Sequence, residues 1–96
     1  MKKFIKGAFE LDENVIDLVA HEEKHKIALE EIVEWANNAG VAILFGTSED
    51  NTYLCEYKIV GKTVAFCKGL ASELKALLKD EFPKTKMVWQ GTGDCW

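Results

Sequence analysis

One short stretch, His21-Glu22-Glu23-Lys24-His25, carries the only recognisable catalytic motif in the chain, H-E-x-x-H. On a helix the two histidines lie one turn apart and can grip zinc, while the glutamate activates a bound water. His21 and His25 are therefore the candidate metal ligands, Glu22 the candidate catalytic base, and zinc the candidate cofactor of a minimal hydrolase. Three features oppose that reading. The inner positions and the one after the motif, Glu23, Lys24 and Lys26, are charged, where zinc proteases of this kind carry uncharged residues. A catalytic zinc needs a third protein ligand, and the chain has no third histidine. Most of the expected strands also follow this segment, whereas those proteases place most of their sheet before it. The sequence favours a protein that is not an enzyme and holds no cofactor.

The same segment offers a second chemistry, recognition by charge. At about 100° per residue, Glu23, Glu30 and Glu34 fall near one line of a helix, with Glu31 beside them and Trp35 farther round. Such a stripe is commonly just a solvated face. Its sharper reading is a docking surface for a protein partner with a basic surface, anchored by Trp35.

The whole-chain charge agrees with that polarity. The 96 residues carry a net charge of −4, and the acids concentrate in residues 12–34, where only Lys24 and Lys26 oppose them. All 12 Lys+Arg positions are lysine. Arginine is the favoured reader of phosphates and guanine edges, so an acidic chain without it makes nucleic acid an unlikely partner. No membrane span is expected: the longest apolar run, residues 41–45, is far short of the ~20 needed. Lys6, Glu10 and Asp12 interrupt the start of the chain before it can form a secretory signal. Cys55, Cys67 and Cys95 form neither an even set nor a C-x-x-C pair, consistent with free thiols in a cytoplasmic protein. Hydrophobic residues make up 48% of the chain, enough for one folded domain over residues 1–96.

These residues must be held by a small set of elements. Residues 2–10 read as a first strand, although Phe4, Ala8, Leu11 and Val15 also fit helical spacing. Asp12 suits a helix N-cap, and helical patterning then runs to a left-handed stop at Gly40. Ile16 and Ile27 point away from the face shared by Leu29, Ile32 and Ala36, which predicts either an interruption within residues 20–26 or a helix buried on more than one side. Residues 41–45 read as a central strand. Residues 52–60 and 63–68 read as a hairpin turning at Gly61-Lys62, with Tyr57 facing Phe66 and Ile59 facing Val64. That register buries Cys55 and puts Cys67 on the opposite sheet face, out of disulfide reach. A second helix follows Gly69 and ends at Pro83. Residues 85–90 read as a last strand, residues 91–94 as a loop, and Cys95-Trp96 as a tail.

The expected class is α+β: a mainly antiparallel sheet of 3–5 strands with two helical segments packed on it, in the order β-α-β-β-β-α-β. From Ile27 to Phe82, the α-β-β-β-α part resembles a double-stranded-RNA-binding domain in order alone. Where that family has a lysine-rich start to its second helix, this chain has Gly69-Leu70-Ala71-Ser72-Glu73. No functional residue carries over. The expected function is that of a small acidic binding or regulatory protein acting by protein–protein contact, as an inhibitor or immunity-type factor does. The zinc hydrolase and a nucleic-acid-binding α-β-β-β-α domain are the alternatives.

Overall fold

A computed structural model describes residues 2–12, 23, 25–50 and 52–95. The elements are β1 (Lys2–Asp12), α1 (Lys26–Ala39), β2 (Val41–Thr47), β3 (Tyr53–Gly61), α2 (Val64–Glu81) and β4 (Lys86–Cys95). Their strands form one four-stranded sheet in the order β2-β3-β1-β4, antiparallel throughout. The α+β class, the antiparallel sheet and the two helices are as the sequence suggests.

Alternation decides which side of the sheet is covered. In β3, Tyr53, Cys55, Tyr57 and Ile59 are buried, whereas Glu56, Lys58 and Val60 are exposed. Directly paired residues share a face. The pairs Ile5↔Ile59, Phe9↔Cys55 and Val41↔Ile59 therefore carry the buried side across β1 and β2. Both helices lie on that side. Leu29, Ile32 and Ala36 of α1, with Cys67, Leu74 and Leu78 of α2, complete the core at helical spacing. The other side of the sheet has no element over it among the described residues.

Local chemistry sets the helix ends. Gly40 adopts φ 74°, ψ 26°, and its N–H reaches the carbonyls of Ala36 and Asn37, the expected left-handed stop. α1 begins at Lys26 after His25, whose φ −104°, ψ 13° is not helical, while residues 20–22 and 24 of the expected interruption lie outside the described residues. Asp12 closes β1, and the segment after it, including Val15 and Ile16, lies outside the described residues.

The structure corrects the second half of the chain. Residues 63–68 are not a strand: Thr63 is the N-cap of α2, and its Oγ1 accepts from the Phe66 N–H at 3.1 Å. The element order is accordingly β-α-β-β-α-β, and the α-β-β-β-α order that resembled a double-stranded-RNA-binding domain is not present. Tyr57 does not face Phe66; it pairs with Gly7 on one side and Ile43 on the other. Cys67 does not lie on the far sheet face but in the same core as Cys55, and both are free thiols. Gly69 is interior to α2, and residues 91–95 continue β4 rather than forming a loop and tail. Replacing Thr63 with alanine should lower stability by about 1 kcal/mol, read as a shifted urea midpoint at unchanged slope.

The two edges of the sheet differ. β2 pairs with β3 without a register shift and carries no lysine or proline. β4 gains one extra residue, Val88, between Met87 and Trp89, where the register against β1 shifts. This bulge adds local twist at that edge.

Candidate functional site

The seam between α1 and α2 holds the residues best placed for recognition. With Leu29, Ile32 and Ala36 turned inward, helical spacing puts Glu31 and Trp35 on the flank of α1 toward α2. Trp35 is partly buried against the core, so one edge of its indole is fixed and the other is accessible. Across the seam, Leu74 and Leu78 point inward, and Glu73, Ala76, Leu77 and Asp80 line a groove of about 430 Å³ with Trp35. Trp35, Ala76 and the half-exposed Leu77 make it apolar, and Glu73 and Asp80 give it an acidic wall. Exposed carboxylates around an apolar slot attract a basic segment and leave a dry contact at its centre.

One end of this seam is tied. His25, at the start of α1, is buried, and its Nδ1 meets the Glu81 carboxylate near the end of α2. Its ring lies against Phe82, with centroids 4.6 Å apart. The two helices thus run antiparallel, with His25 opposite Glu81 at one end and Trp35 opposite Glu73 and Leu77 farther along.

This places the sequence candidates unequally. Trp35 lines the groove, and Glu31 is exposed one turn earlier on the same flank of α1. Glu30 lies on the opposite flank of α1, beside Lys26, Val33 and Phe45. Glu34 is exposed on the outer surface, and Glu23 is exposed ahead of the helix. Glu73, Leu77 and Asp80 were not singled out by the sequence, although their i, i+4, i+7 spacing puts them on one stripe of α2. His21 and Glu22 lie outside the described residues. His25 stands in a turn before α1, engaged with Glu81. Among the described residues no group of three or more His, Cys, Asp or Glu is arranged to hold a metal ion.

α2 also separates its charges. Glu73 and Asp80 flank the α1 side, whereas Lys68 and Lys75 border a smaller hollow of about 230 Å³ against Met87 and Gln90 of β4. Among the described residues no helix is long and apolar enough to cross a membrane.

No protein-family model matches the chain, and no curated protein matches it in sequence. Solved structures match it in shape. Residues 156–455 of PelD from Pseudomonas aeruginosa PA14, in complex with c-di-GMP, align with TM-score 0.57 and 12% identity over 97% of this chain. The chain spans only 32% of that structure. A de novo designed protein with ferredoxin fold, LFR1 1, aligns with TM-score 0.53 and 17% identity, over 100% of this chain and 91% of the design. Identities this low establish a shared fold and nothing about activity. The described residues thus share the ferredoxin fold, with two helices packed on one face of a four-stranded antiparallel sheet.

Proposed function

We propose that this chain is a small acidic binding protein that acts in the cytoplasm by protein–protein contact, in the manner of an inhibitor or immunity-type factor. The observation that supports it is the acid-walled apolar groove where Trp35 meets Leu77, Glu73 and Asp80. A basic, amphipathic segment of a partner fits that chemistry. Its cations meet the carboxylates as it approaches, and an apolar side chain fills the slot beside the indole. Long-range attraction mainly sets the association rate, while the desolvated centre sets residence time.

Affinity capture from the native cell, run in parallel on wild-type and Leu77→Ala resins, identifies the partner as the protein retained only by the wild type. With that partner, changing Glu31, Glu73 and Asp80 to glutamine should slow association about tenfold at low salt, with little effect near 0.5 M. Leu77→Ala should instead speed dissociation about tenfold. The Glu23, Glu30 and Glu34 glutamine variant alters the outer stripe and should change association less. Equal effects from the stripe and groove sets would move the contact to the outer face of α1. Unchanged rates in all three variants would remove this helix pair as the docking surface.

A further inference from the structure

The strand register sorts the open side of the sheet into rows, and one row is unusual. It runs Ala42, Lys58, Lys6, Gly91 across the four strands. Lys6 and Lys58 are direct cross-strand partners at the centre of the sheet. Like charges in that relation repel. Their outer neighbours in the row are a methyl group and a glycine, so nothing there neutralises them. Neither lysine makes an ion pair among the described residues. Both instead set their ammonium groups toward the Phe4 ring, 6.0 and 5.4 Å from its centroid.

The adjoining row supplies a flat ring and an acceptor. Trp89 pairs with Ala8, which in turn pairs with Glu56, and Leu44 ends the row. Trp89 is 46% exposed and Leu44 65%. Together with Lys6, Lys58 and Glu56 they border a hollow of about 280 Å³. The face as a whole carries Lys2, Lys6, Lys58 and Lys86 against Glu10 and Glu56, and Glu10 is already engaged by Lys86 at 3.8 Å. A chain of net charge −4 thus presents one sheet face of the opposite sign.

We propose that this open sheet face binds a single-stranded nucleic acid, with Lys6 and Lys58 on a backbone phosphate and a base stacked on Trp89. A phosphate between the two ammonium groups turns their repulsion into attraction. An exposed indole beside a basic row is the platform on which an unpaired base stacks, and a duplex offers no such base. Glu56 only accepts hydrogen bonds, so it selects bases with an exocyclic amino group, as a carboxylate does with the N4 amine of cytosine. Oligo-dC should therefore bind better than oligo-dT. The expectation from whole-chain charge and missing arginine does not describe this face, because the fold gathers lysines distant in sequence while the acids lie mainly elsewhere.

Fluorescence anisotropy with labelled 12-mers of dC and dT, and a mixed-sequence duplex of that length, tests the proposal on the full chain at 20–200 mM salt. Binding should follow dC, then dT, then duplex. The Lys6→Gln, Lys58→Gln double variant should lose at least tenfold in affinity for dC. Its salt slope should fall by about 0.7, the counterion release that belongs to the one phosphate the two lysines share. Trp89→Ala should lose about tenfold with the slope unchanged, since stacking carries no counterion release. All these positions are exposed, and far-ultraviolet circular dichroism of each variant verifies its fold. No binding to dC at 20 mM salt, duplex binding as tight as dC, or variants that bind like the wild type would each overturn the proposal. So would a concentration-dependent dimer in sedimentation equilibrium that Trp89→Ala dissolves, which would make this face a contact between copies.

Discussion

Gly7→Ala is expected to destabilise the protein by about 3 kcal/mol, which for a chain of this length lowers the melting temperature by on the order of 15 °C. Gly7 lies on central strand β1, opposite Tyr57 on one side and Gln90 on the other. A methyl group there would meet the Trp89 carbonyl and lie 2.7 Å from the Tyr57 hydroxyl. The carbonyl belongs to backbone paired with β1, so it moves only if part of β4 moves with it. The Tyr57 ring is held by stacking on Phe9 at 4.9 Å. Gly69→Ala is the matching control. It lies within α2 with nothing inside 4 Å of the added carbon, and alanine there should raise stability by about 0.5–1 kcal/mol. Opposite signs at the two glycines, read from urea midpoints, confirm that space at Gly7 is the limit. A Gly7→Ala protein as stable as wild type would show that β4 yields at that point.

The second large effect concerns alkaline pH. Burial, aided by the neighbouring Glu56 carboxylate, pushes the Cys55 pKa up from 9.0 to about 12. Burial also raises Tyr57, with the Gln90 side chain partly opposing, and it raises Cys67. The folded chain keeps these groups protonated while the unfolded chain releases its protons. Their contribution is therefore complete below pH 9 and is lost as pH rises toward 12. Three pK units at Cys55 amount to on the order of 4 kcal/mol. Urea midpoints should be level through pH 8 and fall steeply from pH 9.5 to 11. Cys55→Val, similar in volume and without a proton to lose, should flatten that fall. Tyr57→Phe should flatten it further, because it removes the second proton that burial holds in the folded chain. A wild-type profile that stays level to pH 11 would contradict the burial of both groups.

Parts of this architecture could be read directly from the chain. Alternation in β3, the stop at Gly40 and the helix ending before Pro83 are local signals with one physical meaning each. The error at residues 63–68 came from local signals that disagree. Val64 and Phe66 favour a strand by type and alternation, and Gly61-Lys62 suits a hairpin turn. Yet Cys67, Ala71, Leu74 and Leu78 recur at helical spacing, and Thr63 is a good N-cap. Burying four side chains on the sheet outweighs the strand preference of two. Gly93 misled in another way. It has the composition of a loop, but it is a strand residue where the Phe4 ring occupies the space a side chain would fill, 2.7 Å from a built Cβ.

The candidate surfaces were legible only in part, because each joins distant stretches of sequence. The stripe of acids was read within one helix, where periodicity applies. Only packing brings Trp35 to Glu73 and Asp80, and only strand register brings Lys6 to Lys58. Neither relation has a sequence period to announce it.

The unequal edges of the sheet bear on symmetry. An assembly that grows by adding strands needs two receptive edges on each molecule, one to join and one to be joined. Here β2 is the regular edge and β4 is bulged at Val88. Two copies meeting edge to edge through β2 would form an antiparallel pair about a twofold axis, and each would have spent its one receptive edge. Such an association closes at the dimer, and the bulge in β4 keeps it from extending into a fibre.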